Sequence, residues 1–192
     1  MRKIISILLV SGFAALLVTI VSAQEKKTTE PPKPAQNTSQ ELLWAWNGIG
    51  GKLIAMAEDF PEDKYNFKAQ KDERTFAENL LHVAGDEYVM ISAIKGTPLG
   101  FGGDEDSLKK NYTTKADIVK LLKQVVADGA ALIKEQGDSG LTREFKYPWG
   151  NLMVHGSFGW LGIIEHAGEH YGQLVVYYRV NGLIPPASRP RK

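Results

Sequence analysis

At 192 residues, with 43% hydrophobic and 23% charged, the chain has an ordinary globular composition and room for one well-buried core. A formal net charge of +1 leaves no electrostatic footprint for nucleic acid, and the lack of cysteine excludes both a disulfide framework and an N-terminal lipidation site.

The first residues do not belong to that core. Met1-Arg2-Lys3 is a basic start, Ile4 to Val21 is almost wholly apolar, and Val21-Ser22-Ala23 ends in small residues. This layout predicts a secretory signal over residues 1–23, cleaved after Ala23, and hence export to a periplasmic or extracellular location. Uncleaved, the same run approaches spanning length and would serve as an N-terminal membrane anchor. Residues 24–37, rich in Lys, Thr and Pro, cannot bury apolar surface and read as a flexible linker. The folded domain is expected over residues 38–192. Its basic tail, Arg189-Pro190-Arg191-Lys192, reads as a solvated end, and no internal repeat is visible.

Four helices follow in order. Thr38-x-x-Glu41 is a capping-box pattern, after which Leu42, Leu43, Trp46, Ile49, Leu53 and Ile54 recur at helical spacing until Asp59-Phe60-Pro61. After a charged loop, Thr75-x-x-Glu78 opens a second helix carrying Leu80, Leu81, Ala84, Ile91 and Ile94, stopped by Gly96-Thr97-Pro98. A glycine-rich acidic loop (Leu99 to Ser107) leads to a third helix behind Thr114-x-x-Asp117. Residues 137–150 lose the helical pattern, and the alternation of Phe145 and Tyr147 with Glu144 and Lys146 suggests a short extended segment. The fourth helix is expected from about Asn151 to Val180, ending at Asn181-Gly182. Such a set predicts an all-α fold, an antiparallel four-helix bundle. Gly129, Gly156, Gly159, Gly162, Gly168 and Gly172 each cost helix stability, about 1 kcal/mol against Ala. The cost points to close packing or a cavity.

The last helix carries the chemistry. His166 and His170 are four residues apart, so both imidazoles can reach one point in space. The same ribbon runs from His155 through Gly159, Gly162, His166 and His170 to Gln173 and Tyr177, which reads as a glycine-lined metal pocket. His155 lies nearly three turns before His166, roughly 16 Å of rise, too far to join the same ion. His82 on the second helix is the better third ligand, with Asp86 one turn later to orient it, to coordinate, or to act as general base. Against this, His82 lies off the main apolar arc of its helix, together with Asn79 and Asp86, where a solvated surface histidine would also sit. Trp44, Trp46 and Trp160 read as core or interface. Glu165 and Glu169 point about 100° away from their histidine neighbours and read as helix-surface groups. Gln173 and Tyr177 are candidates for substrate contact or for support of the ligands.

The run His166-Ala-Gly-Glu-His170-Tyr-Gly-Gln173, continuing through Arg179 and Gly182 to Pro185-Pro186, resembles the C-terminal signature of the DinB-like (DinB/YfiT) superfamily. Phe76-Ala-Glu-Asn-Leu-Leu-His82-Val-Ala is similar to that family's second-helix motif. The likeness covers most of residues 38–186. It implies a four-helix bundle, often a homodimer, in which His82, His166 and His170 hold one divalent metal ion. Three neutral imidazoles suit zinc, nickel or iron alike and leave positions open for water, as in catalytic sites. By resemblance the expected activity is that of a metal-dependent enzyme, a thiol S-transferase or a hydrolase, acting on a small molecule. An oxidising compartment holds little free thiol, which counts against the transferase. The alternative is a non-catalytic metal- or small-ligand-binding protein of the cell envelope.

Overall fold

The computed structural model describes residues 35–97 and 104–190; the expected signal, the linker up to residue 34 and residues 98–103 of the glycine-rich loop lie outside them. Its elements are α1 (Thr38–Asp59), a 3-10 turn (Glu62–Lys64), α2 (Phe76–Lys95), a short α3 (Glu105–Asn111), α4 (Lys115–Thr142), strands β1 (Glu144–Lys146) and β2 (Met153–His155), α5 (Gly156–Val180) and a closing 3-10 turn (Pro186–Ser188). No helix of the described residues is long and apolar enough to cross a membrane.

The expected four-helix bundle is present, built from two antiparallel pairs. Trp46 of α1 meets Gly129 of α4, and Ser39 near the start of α1 meets Asp138 near the end of α4. Asn79 early in α2 meets Tyr177 late in α5, while Met90 late in α2 meets Gly159 early in α5. The pairs then lie side by side, α1 on α5 and α2 on α4. Trp46 touches Trp160, and Met56 accepts from Tyr178, so α1 and α5 run the same way. By the same token α2 and α4 run parallel. Their link must therefore travel back along the bundle, and α3 belongs to that return path. This is why α3 passes beside the start of α2.

Local chemistry sets the ends. Thr75 and Thr114 each form the reciprocal capping box, with Glu78 and Asp117 respectively. The start of α1 differs from the expected box. Asn37 is the cap, accepting from the Gln40 amide at 2.9 Å, because an Asn carboxamide one residue earlier does the same work as the Thr38 hydroxyl. Two further boundaries depart from expectation. Helix α4 kinks at Gly137, where φ is +56°, and resumes for one more turn that buries Gly140 and Leu141. And α5 begins at Gly156 rather than near Asn151, since residues 153–155 pair with β1 in a hairpin, Phe145 opposite Val154. Gly156 is where that hairpin turns into the helix: a Cβ there would lie 2.1 Å from the Gly140 carbonyl oxygen.

The core runs the length of the bundle. Trp46 donates to the Val126 carbonyl at 2.8 Å and meets Trp160 edge-on at 5.4 Å, while at one end Phe60 stacks on Phe76, with Tyr65 and Tyr178 packed against them at an angle. Trp44, by contrast, is exposed. The costly glycines divide into two kinds. At Gly129 a Cβ would lie 2.4 Å from the Trp46 ring, a rigid and hydrogen-bonded obstacle, whereas at Gly162, Gly168 and Gly172 it would meet nothing within 4 Å. Gly129→Ala is therefore expected to destabilise the fold by roughly 1–3 kcal/mol despite better helix propensity. Gly172→Ala should stabilise it by about 0.5–1 kcal/mol. Urea denaturation of the two variants checks the pair, and opposite signs are the required result.

Candidate metal centre

The antiparallel pairing of α2 and α5 brings three histidines together. His82, in the second turn of α2, faces His166 and His170 of α5, and one ligand atom from each lies within 4.8 Å of the others. Their ring centroids stand 4.6 to 5.2 Å apart. The polar side of α2 that carries Asn79, His82 and Asp86, off the apolar arc, thus packs on α5 of the same chain. No second subunit is needed to cover it.

Each ring is held by a different neighbour. His170 is buried, and its Nδ1 lies 3.1 Å from Asn79 Oδ1. The carboxamide oxygen only accepts, so Nδ1 carries the proton and Nε2 keeps its lone pair for a ligand. Asn79 is itself fixed, its Nδ2 donating to the Thr75 carbonyl at 3.1 Å and to Tyr177 Oη at 3.2 Å. Tyr177 in turn donates to the Arg74 carbonyl. His82 Nδ1 faces Glu105 Oε2 at 3.6 Å, which the return path through α3 delivers to this side of α2. Burial alone would raise the Glu105 carboxyl, but Lys109 at 2.9 Å and Arg74 at 3.3 Å outweigh it and bring it down to about 2. It therefore faces His82 as a fixed negative charge.

Protonation favours ligation. Burial pushes the His170 imidazole down to about 4, helped by its two histidine neighbours. Burial likewise lowers His82, against the opposing pull of Asp86. Neutral imidazole is the form that binds a metal. His166 Nε2 is buried and, among the described residues, makes no hydrogen bond of proper angle even to the nearby Asp86 carboxylate, a cost the fold normally avoids unless something else satisfies the nitrogen. Asp86 completes the group, its Oδ2 lying 3.5 Å from His82 Nε2 and 3.2 Å from His166 Nε2. A buried imidazole nitrogen without a hydrogen bond but beside a carboxylate, two low-pKa rings and a tautomer fixed from behind fit a divalent cation.

A cleft of about 610 Å³ opens onto this group, reaching Asp86 and His166 at one end. Its walls are Tyr147, Trp149 and Phe158, with Gly162, whose missing side chain leaves the floor open. Glu165 and Glu169 are exposed, as expected, and also line this cleft. Of the other candidates, Tyr177 is fully buried and reaches His170 only through Asn79. Gln173 is exposed and lines a separate polar hollow with Lys68, Asp72 and Glu73. His155 sits in β2, outside the cluster, 3.9 Å from Glu144. Asn79 carried a visible signal, three residues before His82 on the same polar face. Glu105 and Trp149 carried none, because loop and hairpin paths bring them to the site.

The model of the DinB superfamily matches residues 50–174, a span that includes all three histidines. No curated protein matches the chain. Among solved structures, a DinB-like protein from Bacillus cereus superposes with a TM-score of 0.65 at 16% identity, covering 77% of this chain and 95% of that one. The DinB-like protein YjoA from Bacillus subtilis gives 0.61 at 22% identity, covering 79% and 99%. YfiT from Bacillus subtilis, described as a probable metal-dependent hydrolase with an unusual four-helix bundle topology, gives 0.58 at 15% identity, covering 80% and 94%. These likenesses establish a shared fold, and the match over residues 50–174 establishes the family: the chain belongs to the DinB superfamily.

Proposed function

We propose that this protein is a metal-dependent hydrolase in which His82, His166 and His170 hold one divalent ion and Asp86 is the general base. The observation that carries the reading is the position of Asp86, against two of the three imidazoles and on the wall of the cleft. A divalent ion bound there would supply Lewis acidity and make water acidic enough to ionise near neutral pH. Asp86, beside His82 and His166 on the cleft wall, would serve there as the proton acceptor, while Asn79 and Glu105 would hold the rings of His170 and His82 from behind. The cleft admits a small molecule. The description of YfiT as a probable metal-dependent hydrolase supports the same chemistry.

The chain reconstituted in turn with zinc, nickel and ferrous iron is expected to hydrolyse activated aryl esters, and a chelator to abolish the rate. Asp86→Asn should lower kcat by about 10²–10⁴-fold, the usual worth of a positioned base, with the ion retained. Loss of the ion as well would make Asp86 a ligand. An unchanged kcat would remove it from the reaction.

A further inference from the structure

The cleft's charge is as informative as its shape. Three of its lining residues are acids, Asp86, Glu165 and Glu169, and among the described residues no lysine or arginine lines it. Asp86 lies against the imidazoles, but among the described residues neither Glu165 nor Glu169 has an ion pair or a hydrogen bond. They stand one turn apart on α5 and leave two uncompensated negative charges on one wall.

Opposite in character is the aromatic wall. Tyr147 meets Trp149 edge-on at 5.7 Å and Phe158 edge-on at 5.8 Å, so the β-hairpin and the first turn of α5 together form a three-ring box. Its outer members are far more open than aromatic side chains usually are, Trp149 at 48% and Phe158 at 53%, with Leu161 at 67% beside them. Exposed apolar surface concentrated on one rim marks a place where something binds. Aromatic faces and unpaired carboxylates share one preference. Both attract an organic cation with an apolar body, and the carboxylates repel an anion.

We infer that the cleft takes a substrate carrying a positively charged nitrogen, alkylammonium or quaternary, on an aromatic or aliphatic body. The body lies in the box of Tyr147, Trp149 and Phe158, and the cationic nitrogen is held by Glu165 and Glu169. The inference names the substrate class for the hydrolase proposed above and rests on that reading only for what happens after binding. At the wall formed by Glu165 and Glu169 the same charges act against an anionic group, such as the free acid of a phosphate or carboxylate ester.

Three small benzyl compounds test it on the intact protein, with calorimetry as one readout and, as the other, the part of the tryptophan fluorescence that is lost in Trp149→Ala. Benzyltrimethylammonium is expected to bind at least tenfold more tightly than its neutral isostere neopentylbenzene, and phenylacetate not to bind. In the Glu165→Gln/Glu169→Gln variant the preference for the cation should fall to within about twofold of the neutral compound, with metal content unchanged. Trp149→Ala should weaken cation and neutral compound alike. Equal binding of all three, tighter binding of phenylacetate, or a cation preference that survives the double variant would overturn the proposal. So would absence of all binding, the result expected if a second copy of the chain covers the cleft. Metal content and ester hydrolysis are read on the same samples. A cation preference without metal or turnover would defeat the hydrolase reading and leave this one standing, and turnover without a cation preference would do the reverse.

Discussion

At pH 8, replacing Glu87 by Met is expected to raise the stability of the fold by several kcal/mol, and at pH 5 by much less. Glu87 is fully buried on α2, and neither carboxylate oxygen has a hydrogen-bond partner among the described residues. Burial, with a smaller contribution from the Asp86 charge, raises its carboxyl from 4.5 to about 8. The sign follows from proton counting. Between pH 4.5 and 8 the unfolded chain has lost this proton and the folded chain keeps it, so stability falls as pH rises across that window. At about 1.4 kcal/mol per unit the penalty reaches on the order of 4 kcal/mol at pH 8 and levels off above it. Met has similar volume and no charge, and it also removes the smaller, pH-independent cost of an unsatisfied polar group. Urea titrations of both proteins at pH 5 and pH 8 isolate the effect, because every other titrating group cancels in the comparison. A stability difference between variant and parent that does not change with pH would contradict it.

The second large effect concerns a residue that cannot touch the metal. Asn79→Leu is expected to weaken divalent-ion binding by about 10–100-fold, the usual worth of a hydrogen bond behind a metal-bound imidazole. Leucine fills the same space, but His170 Nδ1 then loses its acceptor, and with it the tautomer that points Nε2 at the site. Tyr177 keeps its bond to the Arg74 carbonyl, so the core around it should survive. Asn79→Asp separates positioning from packing: a carboxylate still accepts from Nδ1, and binding should return to within a few fold of the parent. Competition with a chromogenic chelator gives both affinities. Equal weakening in Leu and Asp variants would mean that Asn79 serves only the fold.

Much of this architecture is legible in the residues themselves, and what is not has a common cause. The boxes at Thr75 and Thr114, the glycine stops at Gly96 and Gly182, and the spacing of His166 and His170 are local patterns, each fixed by neighbours within one helical turn. The pairing of α2 with α5 is not local. A helical wheel places His82 off the apolar arc, and only the partner helix decides whether that polar face meets water or other imidazoles. The alternation around Phe145 points to β1, but its partner β2 takes residues 153–155 from the expected start of the last helix, and the short α3 begins in a segment whose glycines argue for a loop. Both are chosen by what they pack against. Glu87 shows the same limit from the other side. Beside Asp86 it reads as part of a solvated acidic pair, yet it lies seven residues after Leu80 and so on the same side of α2, within the buried arc. The cleft was the least legible feature, since its aromatic walls come from the hairpin and its acids from α5.

The central claim is that residues from two helices hold one ion, and elemental analysis of the purified protein tests it most directly. The parent, reconstituted and dialysed, is expected to retain about one divalent ion per chain. His82→Ala, His166→Ala and His170→Ala should each lose it while keeping the helical content of the parent, because a site of three ligands cannot hold its ion on two. A parent that retains no ion, or a His82→Ala variant that still retains one, would contradict the account.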